Sequence, residues 1–240
     1  MALPRALLVA LRDAHDPMCQ HEHQCFAERA KLPLDHVHVH SMTAGRPTTA
    51  ELRSFDAIFF GGSGAYSVLD DVSWIKEGLS VLLEVVELRK KAWASCFGFQ
   101  GLSLAMGGRV IHDDALTEMG STWLELTPEG EADPIVSVLP KGFWAQEGHH
   151  DHVMGLPPGV TLLATGSQVR LQAFKVDGAP FYASQFHPEL TVPRTLERFR
   201  HYQAHYVDDV AQGADDMAAK LVAGQDTREM GEVLARLVRA

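Results

Sequence analysis

Three short apolar runs, at residues 5–11, 55–60 and 92–95, constrain the fold most strongly, because each is mostly aliphatic or aromatic and ends in a polar or glycine-rich segment. Runs of this length suit strands buried on both faces of a parallel sheet. Between the first two, residues 19–31 read as a helix and 35–41 as a strand. Residues 74–90 read as a long helix entering the third run and 98–106 as the helix leaving it. This rhythm is that of a doubly wound sheet with helices on both faces, which gathers its sites at the carboxyl ends of its strands.

The second half changes character. Residues 108–126, 161–164, 169–176 and 181–185 are β-rich and separated by Pro and Gly turn signals, so additional antiparallel strands are expected. Beyond Pro193 the composition shifts to Ala, Asp, Arg and Leu. Helical spacing at Leu221, Met230, Leu234 and Leu237 predicts two or three terminal helices. The 240 residues, 46% of them hydrophobic, suffice for one large α/β domain over 1–205 and a C-terminal helical extension over 206–240. No internal repeat or low-complexity tract is present.

The net charge of -10 argues against general affinity for nucleic-acid phosphates or an anionic membrane. No apolar run approaches the roughly 20 residues that span a bilayer. Residues 1–10 resemble a first buried strand more than a cleavable signal. Three cysteines, Cys19, Cys25 and Cys96, form no disulfide framework, and a reducing cytoplasm is the expected location.

Cys96 falls at the turn from the third strand into its helix, where the positive helix end favours thiolate. Ala94 and Gly98 flank it as small residues, as a tight nucleophile elbow requires. Downstream, Gln185-Phe186-His187-Pro188-Glu189 offers His187 as a base and Glu189 as a carboxylate to orient it, with Pro188 stiffening the link. Gly61-Gly62-Ser63-Gly64, after the second run, lets backbone approach closely. Local pattern alone also fits a structural cysteine, a surface His-Pro-Glu turn and a plain flexible glycine turn.

Taken in order, these motifs resemble the class I glutamine amidotransferases, whose motifs read G-x-C-x-G-x-Q and Q-F-H-P-E. The resemblance runs over residues 5–193 and implies a flavodoxin-like α/β fold. Cys96 is then the nucleophile, His187 the general base and acid, and Glu189 the orienting carboxylate. Gly62 and Phe97 are the implied oxyanion donors, and Gln100 lies beside the glutamine pocket. Glu118-Met119-Gly120 and the loop at 148–153, similar to the family's H-x-D-x-V, extend the match, with His149 and Asp151 shaping the pocket or holding the substrate ammonium. The chain departs from the family pattern at Ala94, where glycine is usual, and at Phe99, where His or Met is common.

The implied activity is hydrolysis of the glutamine side-chain amide through a γ-glutamyl thioester, with no metal and no organic cofactor. No Walker A loop and no S-G-G-x-D-S run is present, so a synthase or acceptor subunit would receive the ammonia, unless the enzyme, GMP-synthase-like in its glutaminase half, stands alone. A γ-glutamyl peptide or amine hydrolase would use the same residues, and a non-catalytic regulatory or binding subunit whose terminal helices dock a partner is the reading from another class; the same helices leave a homodimer open. Phe97 argues against the protease or deglycase branch, which commonly has His after the cysteine.

Other clusters point elsewhere. His36, His38 and His40 alternate along a strand, but same-face positions nearly 7 Å apart are too widely spaced to share one ion, so a solvated edge face is expected. A helix would scatter Cys19, His21, His23 and Cys25 around its circumference. Asp70-Asp71 and Asp215-Asp216 read as capping or solvated pairs.

Overall fold

The computed structural model describes residues 3–206, 225 and 227–240. Strands β1 (Ala6–Ala10), β2 (Val37–Ser41), β3 (Ala57–Phe60) and β4 (Lys91–Ser95) form the parallel half of a nine-stranded sheet. Between them run helices α1 (Met18–Ala30), α2 (Thr49–Ser54) and α3 (Ser73–Glu87). Helix α4 (Phe97–Ala105) leaves β4, and β5 (Arg109–His112), β6 (Glu118–Leu126), α5 (Pro128–Ala132), β7 (Gly142–His149) and β8 (Asp151–Gly155) follow. The described chain continues through β9 (Val160–Gly166), β10 (Ala173–Val176), β11 (Phe181–Ser184), α6 (Val192–Tyr206) and α7 (Met230–Arg239).

The sheet order is β2-β1-β3-β4-β11-β10-β9-β6-β7. Pairing is parallel from β2 to β11 and antiparallel from β11 to β7. Strand β11 is the hinge between the two halves. Strands β5 and β8 form a separate antiparallel pair.

Side-chain alternation divides the core into two layers. Leu8, Phe59, Trp93 and Tyr182 face one side, where Phe26 of α1 stacks on Phe59 with ring centroids 4.9 Å apart. Leu7, Val9, Ile58, Phe60, Ala92, Ala94 and Phe181 face the other, covered by α3 and α4. This is the period-2 geometry of strands buried on both faces. The buried residues of α7, Met230, Val233, Leu234, Leu237 and Val238, recur at helical spacing and join the first layer against α1 and β4. They are the described part of the segment expected as a helical extension. Leu221 and Asp215-Asp216 lie outside the described residues.

Two expectations change, and one element is new. The strand expected from residue 35 begins at Val37, because Leu34–His36 forms a 3-10 turn after Pro33. The short helix α2 was not legible, although Thr48 caps it by accepting from the Glu51 N–H at 3.2 Å. Residues 148–153, expected as a loop, instead end β7 and begin β8, burying His149, Asp151 and His152.

Candidate active site

Four chain segments converge at the carboxyl ends of the parallel strands: Arg12 just after β1, Gly61-Gly62 after β3, Cys96 after β4 and His187 after β11. Cys96 adopts φ 50°, ψ -103°, a conformation that L-residues rarely take and that costs about 1–3 kcal/mol unless its surroundings enforce it. Its N–H donates to Ser184 O at 2.8 Å and its carbonyl accepts from the Gln100 N–H at 3.0 Å, so strand and helix hold it from both sides.

Ala94 does not carry the positive φ. It lies in β4, and its methyl stands 3.1 Å from where a Cβ on Gly98 would be. Gly98 is therefore the residue that permits the close approach of α4 to β3 and β4.

Cys96 borders a cavity of about 170 Å³, whose lining also includes Ser63, Tyr66, Gln100, His112 and Asp151. Behind it, a smaller space is shared with Arg12, Gly62, His187 and Arg198. His187 Nδ1 lies 2.6 Å from Glu189 Oε1, and Ser95 Oγ donates to Glu189 Oε2 at 3.0 Å. With Nδ1–H donating to Glu189, the 3.4 Å approach of Arg198 Nη1 to the same nitrogen is a contact and not a hydrogen bond. Arg198 also lies 3.6 Å from Glu189 Oε1. Burial alone would raise the Glu189 carboxyl, but His187 and Arg198 outweigh it and hold the group at about 2.

The thiol behaves differently from the sequence-based expectation. Burial first, then the carboxylates of Glu147 and Glu189, push Cys96 strongly up, against Arg198. This direction favours the thiol, where the helix end was expected to favour thiolate.

The glycine loop has a separate reason for each member. A Cβ on Gly61 would fall 2.3–2.5 Å from the Glu22 carboxylate, and one on Gly64 2.4–2.7 Å from the Tyr202 ring. One on Gly62 would stand 3.0 Å from His187 Cε1 and 3.8 Å from Cys96 Cβ. The Gly62 N–H, expected to face an oxyanion, instead donates to Glu22 Oε1 at 3.1 Å. Its carbonyl accepts from Arg12 Nη2 at 2.9 Å. The buried Glu22 carboxylate needs donors, and this peptide supplies one. Phe97, as the first residue of α4, keeps its N–H among those that a helix cannot satisfy internally.

Gln100 donates to Asp151 O at 2.9 Å and to Gln185 Oε1 at 3.3 Å, tying α4 to the far wall of the cavity. The Asp151 carboxylate binds His112 Nδ1 at 2.8 Å and Ser67 Oγ at 2.5 Å. His149 Nδ1 donates to Asp151 O at 3.0 Å. Sequence reasoning missed Arg12, Glu22, Arg198 and Tyr202. The one available signal was Arg12, a charge directly behind an apolar strand, here 1% exposed. The histidines of β2 and the turn before it make separate contacts: His36 with Pro4 O, His38 with Arg5, and His40 with Glu51 and Gly45 O.

A strained cysteine elbow at the carboxyl edge of a doubly wound sheet, with a His–carboxylate pair behind it, defines an α/β protein of the nucleophile-elbow class. The family model described as "Glutamine amidotransferase class-I" matches residues 14–199, and the chain belongs to that family. A glutamine-hydrolyzing GMP synthase subunit of Saccharolobus solfataricus is 31% identical over 153 residues, covering 63% of this chain and 77% of the relative. Gamma-glutamyl peptidase 3 of Arabidopsis thaliana is 26% identical over 149 residues, 60% of this chain and 58% of the relative. A crystal structure of a glutamine amidotransferase from Methylobacillus flagellatus superposes with a TM-score of 0.72 at 19% identity, covering 99% of this chain and 95% of that one. That likeness bears on the fold. Among the described residues no helix is long and apolar enough to cross a membrane.

Proposed function

We propose that this chain hydrolyses the side-chain amide of glutamine, with Cys96 as nucleophile, His187 as general base and acid and Glu189 as the carboxylate orienting it. The observation that carries the reading is the Cys96 elbow bordering a cavity, with His187 and Glu189 2.6 Å apart behind it. Because burial keeps Cys96 as a thiol, the proton moves to His187 Nε2 as sulfur attacks the amide carbon. The carbonyl oxygen becomes an oxyanion, for which the Phe97 N–H is the first donor. The Gly62 N–H joins only if its peptide turns away from Glu22. As the carbon–nitrogen bond breaks, His187 returns the proton and ammonia leaves. Water, deprotonated by His187, then splits the thioester, releasing glutamate and the free thiol.

Gln100, His149 and Asp151 form the far wall of the cavity, and the Asp151 carboxylate is the group suited to the substrate ammonium. The relatives that are glutamine-hydrolyzing GMP synthase subunits support delivery of ammonia to a separate synthase partner. The likeness to gamma-glutamyl peptidase 3 supports the second reading, a γ-glutamyl peptide or amine hydrolase. Three free cysteines suit a cytoplasmic location.

The test is mass spectrometry of the protein after exposure to an electrophilic glutamine analogue, paired with glutamate release from glutamine and from γ-glutamyl amines. A Cys96 adduct with release from glutamine supports the first reading. Release only from γ-glutamyl amines supports the second. No adduct and no release, with and without a candidate synthase, would leave a non-catalytic subunit.

A further inference from the structure

At the far wall of the cavity, which His149 lines, three buried side chains point at one another. Strands β6 and β7 pair antiparallel with Glu118 opposite His149, and Glu147 lies two positions back on the same face of β7. The pleat therefore gathers Glu118, Glu147 and His149, which are 4%, 1% and 4% exposed. One ligand atom from each lies within 4.8 Å of the other two.

From this geometry we infer a binding site for a divalent transition-metal ion, Zn²⁺ or its analogues, with Glu118, Glu147 and His149 as ligands. Four arguments support it. His149 Nδ1–H donates to the Asp151 carbonyl at 3.0 Å, which fixes the ring and directs Nε2 at the two carboxylates. Nε2 lies 3.3 Å from Glu118 Oε2 and 3.4 Å from Glu147 Oε2, and a tetrahedral ion with bonds of about 2.0–2.1 Å separates its ligands by about 3.4 Å. His149 Nε2, Glu118 Oε1 and both Glu147 oxygens are buried and make no aligned hydrogen bond, so the three groups stand at ion-pair distance with lone pairs left over. Finally, the Glu118 oxygen nearest His149 accepts from Gln172 Nε2 at 2.7 Å, an outer contact of the kind that orients a ligating carboxylate.

The rival occupant is a proton. An imidazolium at His149 would pair with both carboxylates through one shared N–H at 3.3 and 3.4 Å, which still leaves Glu118 Oε1 and a Glu147 oxygen without a donor. A dication satisfies both. The donor set, one imidazole and two carboxylates, suits Zn²⁺, Co²⁺ or Mn²⁺ better than Cu⁺, which prefers sulfur.

The full chain, stripped with a chelator and titrated with Zn²⁺ against a chromophoric chelator, is expected to take up one ion per chain. Glu118→Gln and Glu147→Gln, checked for fold by circular dichroism, are each expected to weaken uptake at least tenfold. Co²⁺ added to the unaltered protein should give visible d–d bands without a thiolate charge-transfer band, a readout that needs no variant. Absence of uptake, a strong thiolate band placing the metal on cysteine, or unchanged uptake in both variants would overturn the site. None of these readouts depends on glutamine hydrolysis, so the site and the proposed activity stand or fall separately.

Discussion

Arg12 closes on Glu22 through Nη2 to Oε1 at 2.8 Å and Nε to Oε2 at 3.3 Å, and together they hold the N–H and the carbonyl of Gly62. Removing one partner of a buried pair leaves a bare charge. Glu22→Gln and Arg12→Met should each lower the unfolding free energy by about 3–5 kcal/mol. The double variant should lose less than the sum. Urea unfolding of all four proteins measures the coupling, and strict additivity would contradict it.

Gly62→Ala places a methyl 3.0 Å from His187 Cε1, so the ring must shift or the loop must move. Misplacing a reacting group by even 1 Å can cost about 100-fold in rate. A fall in kcat/KM of this order with a small change in Tm is expected. A large loss of stability with normal activity in the folded fraction would show that the loop, and not the ring, gives way.

The φ of 50° at Cys96 is a site of backbone strain that glycine would relieve. Both Cys96→Gly and Cys96→Ala should abolish labelling by a glutamine analogue. Of the two, Cys96→Gly should be the more stable, by about 1 kcal/mol. Thermal denaturation of the pair decides it, and equal stabilities would mean that the turn carries no strain.

Glu189 is held at about 2 in the folded chain, against an ordinary value of 4.5. The unfolded chain therefore binds more protons, and stability falls as the pH drops. This contribution, on the order of 3 kcal/mol, is complete above about pH 4.5 and is lost as the pH falls toward 2. The stability gap between the protein and Glu189→Gln should narrow over that range in urea unfolding. A gap independent of pH would contradict the assignment.

Leu234 is fully buried on α7 within the layer around Phe26 and Phe59. Leu234→Ala should cost about 2–5 kcal/mol. A change below about 1 kcal/mol in chemical denaturation would mean that α7 is only loosely attached.

The parallel strands were readable because burial on both faces leaves uninterrupted apolar runs. The turns that carry Cys96 and His187 were readable because Gly98 leaves room for α4 to approach β3 and β4, and because Pro188 restricts the backbone after His187. Glu22 was not, since an acid within a predicted helix looks solvated until the fold turns it against Gly61. For the same reason the position of Gly62 could be located while the direction of its N–H could not. The segment at 148–153 was misread as a loop because its His and Asp side chains are polar, yet strand pairing buries them.

The packing of α7 on α1 brings residues 230–239 against residues 18–30. Such a contact has high sequence separation and forms late. During synthesis the layer around Phe26 and Phe59 cannot close until the chain has grown past residue 239. Until then an apolar face of α1 stays open, so a ribosome-bound intermediate is the form most exposed to chaperones and to aggregation.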